Sequence, residues 1–256
     1  MPSAAFAPLR HRSYATLLSA ALVSNVGSWM QTVALGVVVT QDTHNPLWTG
    51  LVAAAGFVPS GLLAPVGGAL ADRLDRRRWL IATTLAEAVV AGVLAFLYLG
   101  GSVSPGVVAL LAFLGGVAGA AGFPAYQAIL PDLVPTEELL AAVSLSSAQY
   151  NLGRVLGPAL AGLLLVVTGP AWCFGVNAIS FGAVVAALLT ISIPRPVRSA
   201  ARGLVAEVAE AVRVAASLEP VATATTSIAV VGFLVAPFIA LIPAMAIEGL
   251  HQHGHA

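Results

Sequence analysis

Seven long apolar runs dominate this chain of 256 residues and constrain its fold more than any other feature. A membrane-spanning helix needs about 20 mostly apolar residues, and each run reaches that length. The runs lie at residues 14–40, 47–71, 79–100, 104–130, 140–168, 172–193 and 221–247. Only 9% of the residues are charged, which is too few to give a water-soluble domain its polar surface. We therefore expect an all-α membrane protein whose surroundings are the lipid bilayer.

The composition argues against several classes of function. The formal net charge is zero, so nothing favours a nucleic acid as partner. A single cysteine, Cys173, leaves no pairing for an internal disulfide or a multi-cysteine metal site. The chain has no lysine and therefore no phosphate-binding Gly-x-x-x-x-Gly-Lys loop, which argues against ATP-driven transport by this chain. We expect no cofactor and no metal. The alternating histidines His251, His253 and His255 are interpreted as the start of an extracellular loop, with binding of a transition metal as the alternative.

The distribution of arginine predicts the orientation of the chain in the membrane. Ten of the eleven arginines lie before the first run or in the connections that follow the second and sixth runs. The connections after the first, third and fifth runs contain none. Since positively charged loops stay on the cytoplasmic side, we expect a multi-pass protein with a cytoplasmic N-terminus. The exception, Arg154, lies inside the fifth run.

The order of the runs predicts four regions. Residues 1–193 hold six runs joined by short connections and are expected to form a six-helix bundle. Residues 194–220 form the longest polar stretch, a cytoplasmic linker in which the spacing of the acidic residues is typical of an amphipathic surface helix. Residues 221–250 contain the seventh run, and residues 251–256 are a histidine-containing tail. A new helix after a linker predicts the start of an incomplete second, C-terminal bundle.

The connection between the second and third runs carries a charged motif. It reads Gly67-Gly68-Ala69-Leu70-Ala71-Asp72-Arg73-Leu74-Asp75-Arg76-Arg77-Arg78. This stretch resembles the signature of the major facilitator superfamily in the same loop. The matching residues are Gly68, Asp72, Arg73, Arg76 and Arg77. The glycine is expected to let two helices cross closely, Asp72 to cap a helix or meet a positive partner, and the arginines to anchor a gating loop. A plain positive-inside cluster is the alternative, and Asp75 stands where the superfamily usually has glycine.

A second block lies in the fifth run. It looks like the Gly-Pro signature of the drug/proton antiporters of the same superfamily. The matching residues are Gly153, Gly157, Pro158 and Gly162. Gly153 and Gly157 form a small-xxx-small pair that permits close helix approach, and Pro158 removes a backbone donor and can bend the helix. Ser144 and Ala161 stand where this signature has glycine.

Two further stretches, residues 25–31 and 123–135, resemble one bacterial branch of the superfamily, the enterobactin-exporter-like permeases. Tyr126 stands where this branch usually has arginine. The resemblance implies the six-helix N-terminal bundle of the major facilitator fold plus a seventh transmembrane helix, in the bacterial inner membrane. It also implies secondary active transport: efflux of small organic molecules in exchange for protons, by alternating access through a central cavity between two bundles.

Polar residues inside the runs are candidates for a cavity or for coupling, because a polar group at membrane depth should face a cavity or a partner. They are Gln31, Glu87, Arg154, Asn25 and Gln127. In the functional interpretation, Glu87 is a proton-coupling carboxylate, and Arg154 either shifts the pKa of Glu87 or contacts an anionic substrate. The alternative is a structural ion pair between the two. Of Asn25 and Gln31, we expect Gln31 to face the cavity, and Gln127 is assigned to an inner gate.

Two other interpretations of the function stay open at this point. An intramembrane enzyme would need paired catalytic groups at membrane depth, but no histidine lies inside a run and no Gly-x-Ser-x-Gly or His-Glu-x-x-His element occurs. We therefore do not expect an enzyme. The other interpretation is a truncated or partner-dependent fragment with no transport activity alone, because a cavity built between two bundles would lack one wall.

Overall fold

The computed structural model describes residues 4–193 and isolated positions between 213 and 230. Over these residues the chain forms six long α-helices without a strand, which confirms the all-α membrane fold. Their bounds are α1 Arg12–Thr43, α2 Pro46–Arg73, α3 Arg76–Leu99, α4 Pro105–Ile129, α5 Leu139–Val167 and α6 Pro170–Thr190. Each contains a stretch that is long and apolar enough to cross a membrane. The seventh run, the linker helix and the histidine tail lie wholly or largely outside the described residues.

Local sequence sets the helix ends. Pro46, Pro105 and Pro170 are the first residues of α2, α4 and α6, where a missing backbone N–H costs nothing. The start of α3 is capped by Asp75, whose Oδ1 accepts a hydrogen bond of 2.9 Å from the backbone N–H of Arg78. A side-chain cap of this kind contributes about 1 kcal/mol. The aspartate that departs from the superfamily signature is therefore the residue that begins the next helix.

The helices pack as two interlocked groups of three. α2 packs mainly on α4, α3 on α6 and α4, and α1 on α5 and α6. Exchanging α1–α3 with α4–α6 converts these contacts into one another, since the α1–α5 contact becomes α4–α2 and the α1–α6 contact becomes α4–α3. The first and fourth helices consequently occupy equivalent positions, and each contacts helices of the opposite group.

Glycines on α5 bring this helix directly onto α1. A Cβ atom built on Gly157 would lie 2.5 Å from the Cβ of Trp29, and one on Gly153 would lie 2.9 Å from the Cβ of Asn25. Side chains cannot approach so closely, so both positions must stay bare for the helices to touch. At Gly162, by contrast, none of the described atoms lies within 4 Å of such a Cβ. The packing function in this block is thus concentrated in its first two glycines.

The close crossing expected of Gly68 is made by its neighbour Gly67. A Cβ on Gly67 would lie 2.6 Å from the carbonyl oxygen of Ala120 on α4. A Cβ on Gly68 would meet none of the described atoms within 4 Å. Placing the crossing at Gly68 was wrong by one residue, because a pair of adjacent glycines does not reveal which of them faces the neighbouring helix.

Two apolar clusters fill the bundle at different depths. One surrounds Tyr14 and Leu188 near the end where the α2–α3 connection lies, which we call the arginine-rich end. The phenol of Tyr14 donates a 2.7 Å hydrogen bond to the carbonyl oxygen of Ala142 and so ties α1 to α5 at this end. The other cluster surrounds Met30 and Phe174 in the opposite half. A cavity lies beside this second cluster.

Candidate functional site: a polar cavity among the six helices

A cavity of about 350 Å³ lies among the helices, and all six contribute to its wall. This volume suits a small organic molecule. Its polar lining includes Gln31 from α1, Glu87 from α3, Arg154 from α5 and Asn177 from α6. The remaining wall is largely apolar and includes Val52, Phe57, Val90, Pro158 and Phe181. A few polar groups set in an apolar wall are typical of sites that orient a ligand.

Glu87 lies half-buried in the cavity wall and rests against α4. Its Oε1 is 3.0 Å from the point that a Cβ of Gly119 would occupy, so the bare backbone of α4 leaves room for the carboxyl group. Among the residues that the structure describes, no cation lies within 4 Å of this carboxyl and no side chain or backbone group donates a hydrogen bond to it. The carboxyl therefore remains available to the cavity.

Arg154 projects from α5 over the indole ring of Trp29 on α1. Its Cζ lies 5.3 Å from the ring centroid, a cation–π geometry that contributes about 0.5–1 kcal/mol at an exposed site. Trp29 is itself supported edge-on by Tyr150, with ring centroids 6.0 Å apart. Trp29 itself lines the cavity, so it is part of the wall as well as the support of the arginine.

The structural ion pair considered for Glu87 and Arg154 is absent. Both side chains line the same cavity, yet Glu87 leans on α4 whereas Arg154 lies on Trp29 of α1. Within residues 4–193, Arg154 has no carboxylate within 4 Å. Depth along two helices suggested the pair, but only the rotation of each helix about its own axis decides whether the charges meet.

Gln31 is held in the wall by a buried amide network. The Nδ2 group of Asn177 donates a 2.9 Å hydrogen bond to Oε1 of Gln31, and Asn177 is only 1% exposed. The hydroxyl of Ser180, one turn further along α6, donates to the backbone carbonyl oxygen of Asn177 at 2.7 Å and lies 3.2 Å from its Oδ1. Sequence reasoning missed Asn177. The available signal was Asn177 and Ser180 at i, i+3, two polar residues on one face of an apolar run.

The other two candidates lie away from the cavity wall. Asn25 donates through Nδ2 to Oε1 of Gln149 at 2.9 Å and so joins α1 to α5. Gln127 is exposed on α4, and the cavity lining does not include it. The neighbouring Tyr126 places its hydroxyl 3.4 Å from Oγ of Ser146. These residues act in helix contacts or at the bundle surface rather than in the cavity.

At the arginine-rich end, Arg76 joins α2, α3 and the end of α4. Its Nη1 donates to the carbonyl oxygen of Ala128 at 3.2 Å and lies 3.3 Å from Oδ2 of Asp132. Its Nη2 lies 3.5 Å from Oδ1 of Asp72. Asp72 therefore meets a positive partner, while Asp75 provides the cap.

Arg77 makes the equivalent connection to α6. Its Nη2 donates to the carbonyl oxygen of Leu189 at 2.8 Å. Both Leu189 and Ala128 lie in the last turn of a helix, where free carbonyl groups and the helix dipole favour a cation. We call Arg76 and Arg77, together with the groups that accept their hydrogen bonds, the arginine clamp. The clamp fastens the α2–α3 connection to the ends of α4 and α6.

Comparison with known proteins identifies the family to which this architecture belongs. Residues 3–255 match the family model described as transmembrane secretion effector, a family of major facilitator transporters. The chain belongs to this family. Its members are transporters, so the interpretation as an intramembrane enzyme is wrong. Together with the six apolar helices, the match makes the chain a multi-pass membrane protein of a transporter family.

Several bacterial proteins resemble the chain over part of their length. The staphyloferrin A transporter of Staphylococcus aureus is 35% identical over 143 residues, which cover 56% of this chain and 36% of that protein. The multidrug efflux pump Tap of Mycolicibacterium fortuitum is 32% identical over 186 residues, 70% of this chain and 44% of the pump. Macrolide efflux protein A of Streptococcus pyogenes is 28% identical with the same coverage. The chain thus spans less than half the length of these relatives.

Proposed function

We propose that this chain forms the first half of a secondary active exporter of small organic molecules. The observation that carries the proposal is the cavity among the six helices, with Gln31, Glu87 and Arg154 in an otherwise apolar wall. Relatives named as multidrug and macrolide efflux proteins support efflux as the direction of transport. The cavity is the substrate site in this proposal, and the bilayer and a small molecule are its partners.

We further propose that a second bundle closes the cavity. Ser147, Asn151 and Arg154 lie on one side of α5 and are exposed, although α5 is a candidate membrane span. Polar groups at membrane depth face protein or water rather than lipid, so this side of α5 is suited to contact with protein. Residues 221–250 would begin that bundle. Access would then alternate between the two membrane faces as the bundles rock against each other.

The arginine clamp supplies a gate in this proposal. Gly68, Asp72, Arg73, Arg76 and Arg77 form the loop whose signature suggested gating, and Arg76 and Arg77 hold it to α4 and α6. These bonds join the ends of three helices at one face of the bundle. Loosening them would allow the helix ends to separate on that face and admit the substrate.

Glu87 is the proposed coupling residue. Its carboxyl lines the cavity without a cationic partner among the described residues, so its charge can be changed by a proton without breaking an ion pair. Binding of a proton would neutralise the carboxylate of Glu87 and release a bound cationic group. Loss of the proton would restore the negative charge and the binding site. Exchange of protons for substrate follows from that competition.

Inside-out membrane vesicles that contain residues 1–193 fused to the C-terminal half of the Tap pump test transport, because the proposal places the second wall of the cavity in a second bundle. Radiolabelled erythromycin and ethidium serve as probes, and a proton gradient is imposed across the membrane. We expect uptake that requires the gradient and falls at least tenfold in Glu87→Gln, with the exposed Glu137→Gln as the matched control. Transport by Glu87→Gln that is unchanged across a pH series would exclude proton coupling at this residue.

The need for a second bundle is tested in the same vesicles. The chain alone is compared with a fusion of residues 1–193 to the C-terminal half of the Tap pump. Uptake by the fusion but not by the chain alone would support the partner-dependent alternative. Equal uptake by the chain alone would contradict it.

Cysteine labelling tests the cytoplasmic position of the N-terminus. Cys173 is first replaced by alanine, and a single cysteine is then introduced by Ser102→Cys or Thr136→Cys, both at exposed positions. In intact cells, a membrane-impermeant maleimide should label the first variant and spare the second. The reverse pattern would invert the orientation.

A further inference from the structure

The cavity is lined by two ionisable side chains of opposite sign that do not contact each other. Glu87 and Arg154 both line it, and neither has an ion-pair partner within the described part of the chain. An uncompensated charge at membrane depth is costly, so each of these side chains is expected to face water, a ligand or a partner of opposite charge. If the two residues served only to hold helices together, their side chains would be expected to form an ion pair. Glu87 and Arg154 do not form one.

The surrounding residues keep the charges on different walls. Gly119 leaves space for the carboxyl of Glu87 against α4, where any larger residue would displace it. Trp29 supports the guanidinium of Arg154, and Gly157 fixes Trp29 by placing the α5 backbone against its Cβ. The separation is therefore built by the packing of α3 on α4 and of α5 on α1.

The rest of the cavity wall is suited to an apolar body. Val52, Val90 and Phe181 line the cavity, and the amide of Gln31 is already engaged by Asn177. A ligand with a single charge would pair with either Glu87 or Arg154 and leave the other side chain without a partner of opposite charge. A ligand with one positive and one negative group could compensate both, while its apolar part replaces water against the wall.

We propose that this cavity selects amphipathic zwitterions, small organic molecules that carry an amine and an acidic group on an apolar body. The ammonium group binds the carboxylate of Glu87, and the anionic group binds the guanidinium of Arg154. This inference rests on the proposed function in that it assigns a substrate class to the same cavity. Binding itself, however, needs no transport and can be measured separately.

Four compounds with one aromatic body test the charge requirement. They are 4-(aminomethyl)benzoic acid, its carboxamide, its N-acetyl derivative and the N-acetyl carboxamide, which are zwitterionic, cationic, anionic and neutral. Equilibrium dialysis against lipid nanodiscs, with and without the 256-residue protein, measures binding of each. We expect the zwitterion to bind about tenfold more tightly than either singly charged compound, because a singly charged compound leaves one of the two side chains without a partner.

Variants that remove one charge show which side chain binds the ammonium group of the ligand and which binds its anionic group. Glu87→Gln should lose the preference for the zwitterion over the anion, and Arg154→Gln the preference for the zwitterion over the cation. Arg154→Lys should retain most of the preference because it keeps the charge. The exposed residues Glu137 and Arg12, changed to glutamine, are matched controls that should leave the ranking intact.

The wild-type ranking decides the question even if a variant fails to fold. Equal binding of all four compounds, or tighter binding of either singly charged compound, would overturn the proposal. So would variants that lower the affinity for all four compounds by the same factor. Transport of erythromycin by the fusion with the Tap half, without a zwitterion preference in binding, would refute this inference alone. The binding preference without transport by the fusion would refute only the proposed function.

Discussion

Charged side chains are arranged in opposite ways in two regions of this bundle, the arginine-rich end and the cavity. At the arginine-rich end, Arg76 and Arg77 each bind a carbonyl group in the last turn of a neighbouring helix. In the cavity, Glu87 and Arg154 have no ion-pair partner among the described residues. The first arrangement uses charge to fasten helix ends. The second leaves both side chains without an ion-pair partner at the cavity wall, where the proposed substrate would meet them.

The same contrast appears in how each region is held. The arginine-rich end is joined by polar contacts, including a 2.9 Å contact between Nε2 of His11 and Oε2 of Glu138. The α1–α5 face at the level of the cavity is joined by bare glycine backbone, as at Gly157 against Trp29. We therefore expect the cavity region to depend on residue volume and the clamp to depend on charge.

The largest loss of stability is expected from Gly157→Val. The new side chain would overlap Trp29, force α5 away from α1 and displace the support of Arg154. Overpacking of this kind costs about 3 kcal/mol. Reversible unfolding in sodium dodecyl sulfate, followed by circular dichroism, measures the loss. Gly162→Val is the control, and an equal loss in both variants would show that the position of the glycine does not matter.

Arg76→Gln should have the next largest effect. It removes charge-assisted hydrogen bonds to Ala128 and Asp132, and we expect the free energy of unfolding to fall by about 1.5 kcal/mol. The same unfolding assay applies, at low and high salt. The exposed Arg78→Gln should change stability by less than about 0.5 kcal/mol. Identical behaviour of the two variants would remove the distinction between the clamp and an ordinary basic loop.

Asn177→Ala tests a polar contact inside the cavity region. It removes the hydrogen bond to Gln31, and interhelical hydrogen bonds in membranes contribute about 1 kcal/mol. Asn151→Ala is the matched control, since that side chain bonds only within its own helix, to Ser147, among its described contacts. The free energy of unfolding should fall more in Asn177→Ala than in Asn151→Ala. A smaller loss in Asn177→Ala than in Asn151→Ala would contradict the network.

The smallest effect is expected from Glu87→Gln. Because the carboxyl has no ion-pair partner in the described structure, its neutralisation should change the free energy of unfolding by less than about 0.5 kcal/mol or raise it. A double-mutant cycle with Arg154→Gln provides the sharper measurement. A coupling energy above about 1 kcal/mol would mean that the two charges pair after all, and the contrast with the clamp would fail.

The sequence predicted the helical framework well because its signals are local. The length of an apolar run sets a membrane span, and the prolines at the start of α2, α4 and α6 mark helix ends without reference to the rest of the fold. The glycine spacing in α5 predicted a close contact, and Gly153 and Gly157 make it with α1. Gln31, Glu87 and Arg154 were chosen because polar residues inside apolar runs are costly, and all three line the cavity.

Other features could not be predicted because they depend on helix rotation and on the neighbour across each interface. The crossing at Gly67 rather than Gly68, and the exposed position of Gln127, follow from which face of α2 or α4 turns inward. The engagement of Gln31 by Asn177 requires α6 to pack on α1, two helices that are 146 residues apart at this contact. No local pattern contains that information.

The sequence by itself determined that the surroundings of this protein are largely lipid, and it determined the six described membrane spans. It also determined that arginine clusters in three segments: before the first apolar run, after the second and after the sixth. These features follow from hydropathy and charge, which are properties of each residue alone. Only the tertiary structure decided how those charges are used. It placed Arg76 and Arg77 on helix ends, and it held Glu87 and Arg154 apart on different walls of one cavity. The reason is physical: the cost of a charge is local, whereas its compensation depends on which group the fold brings within reach.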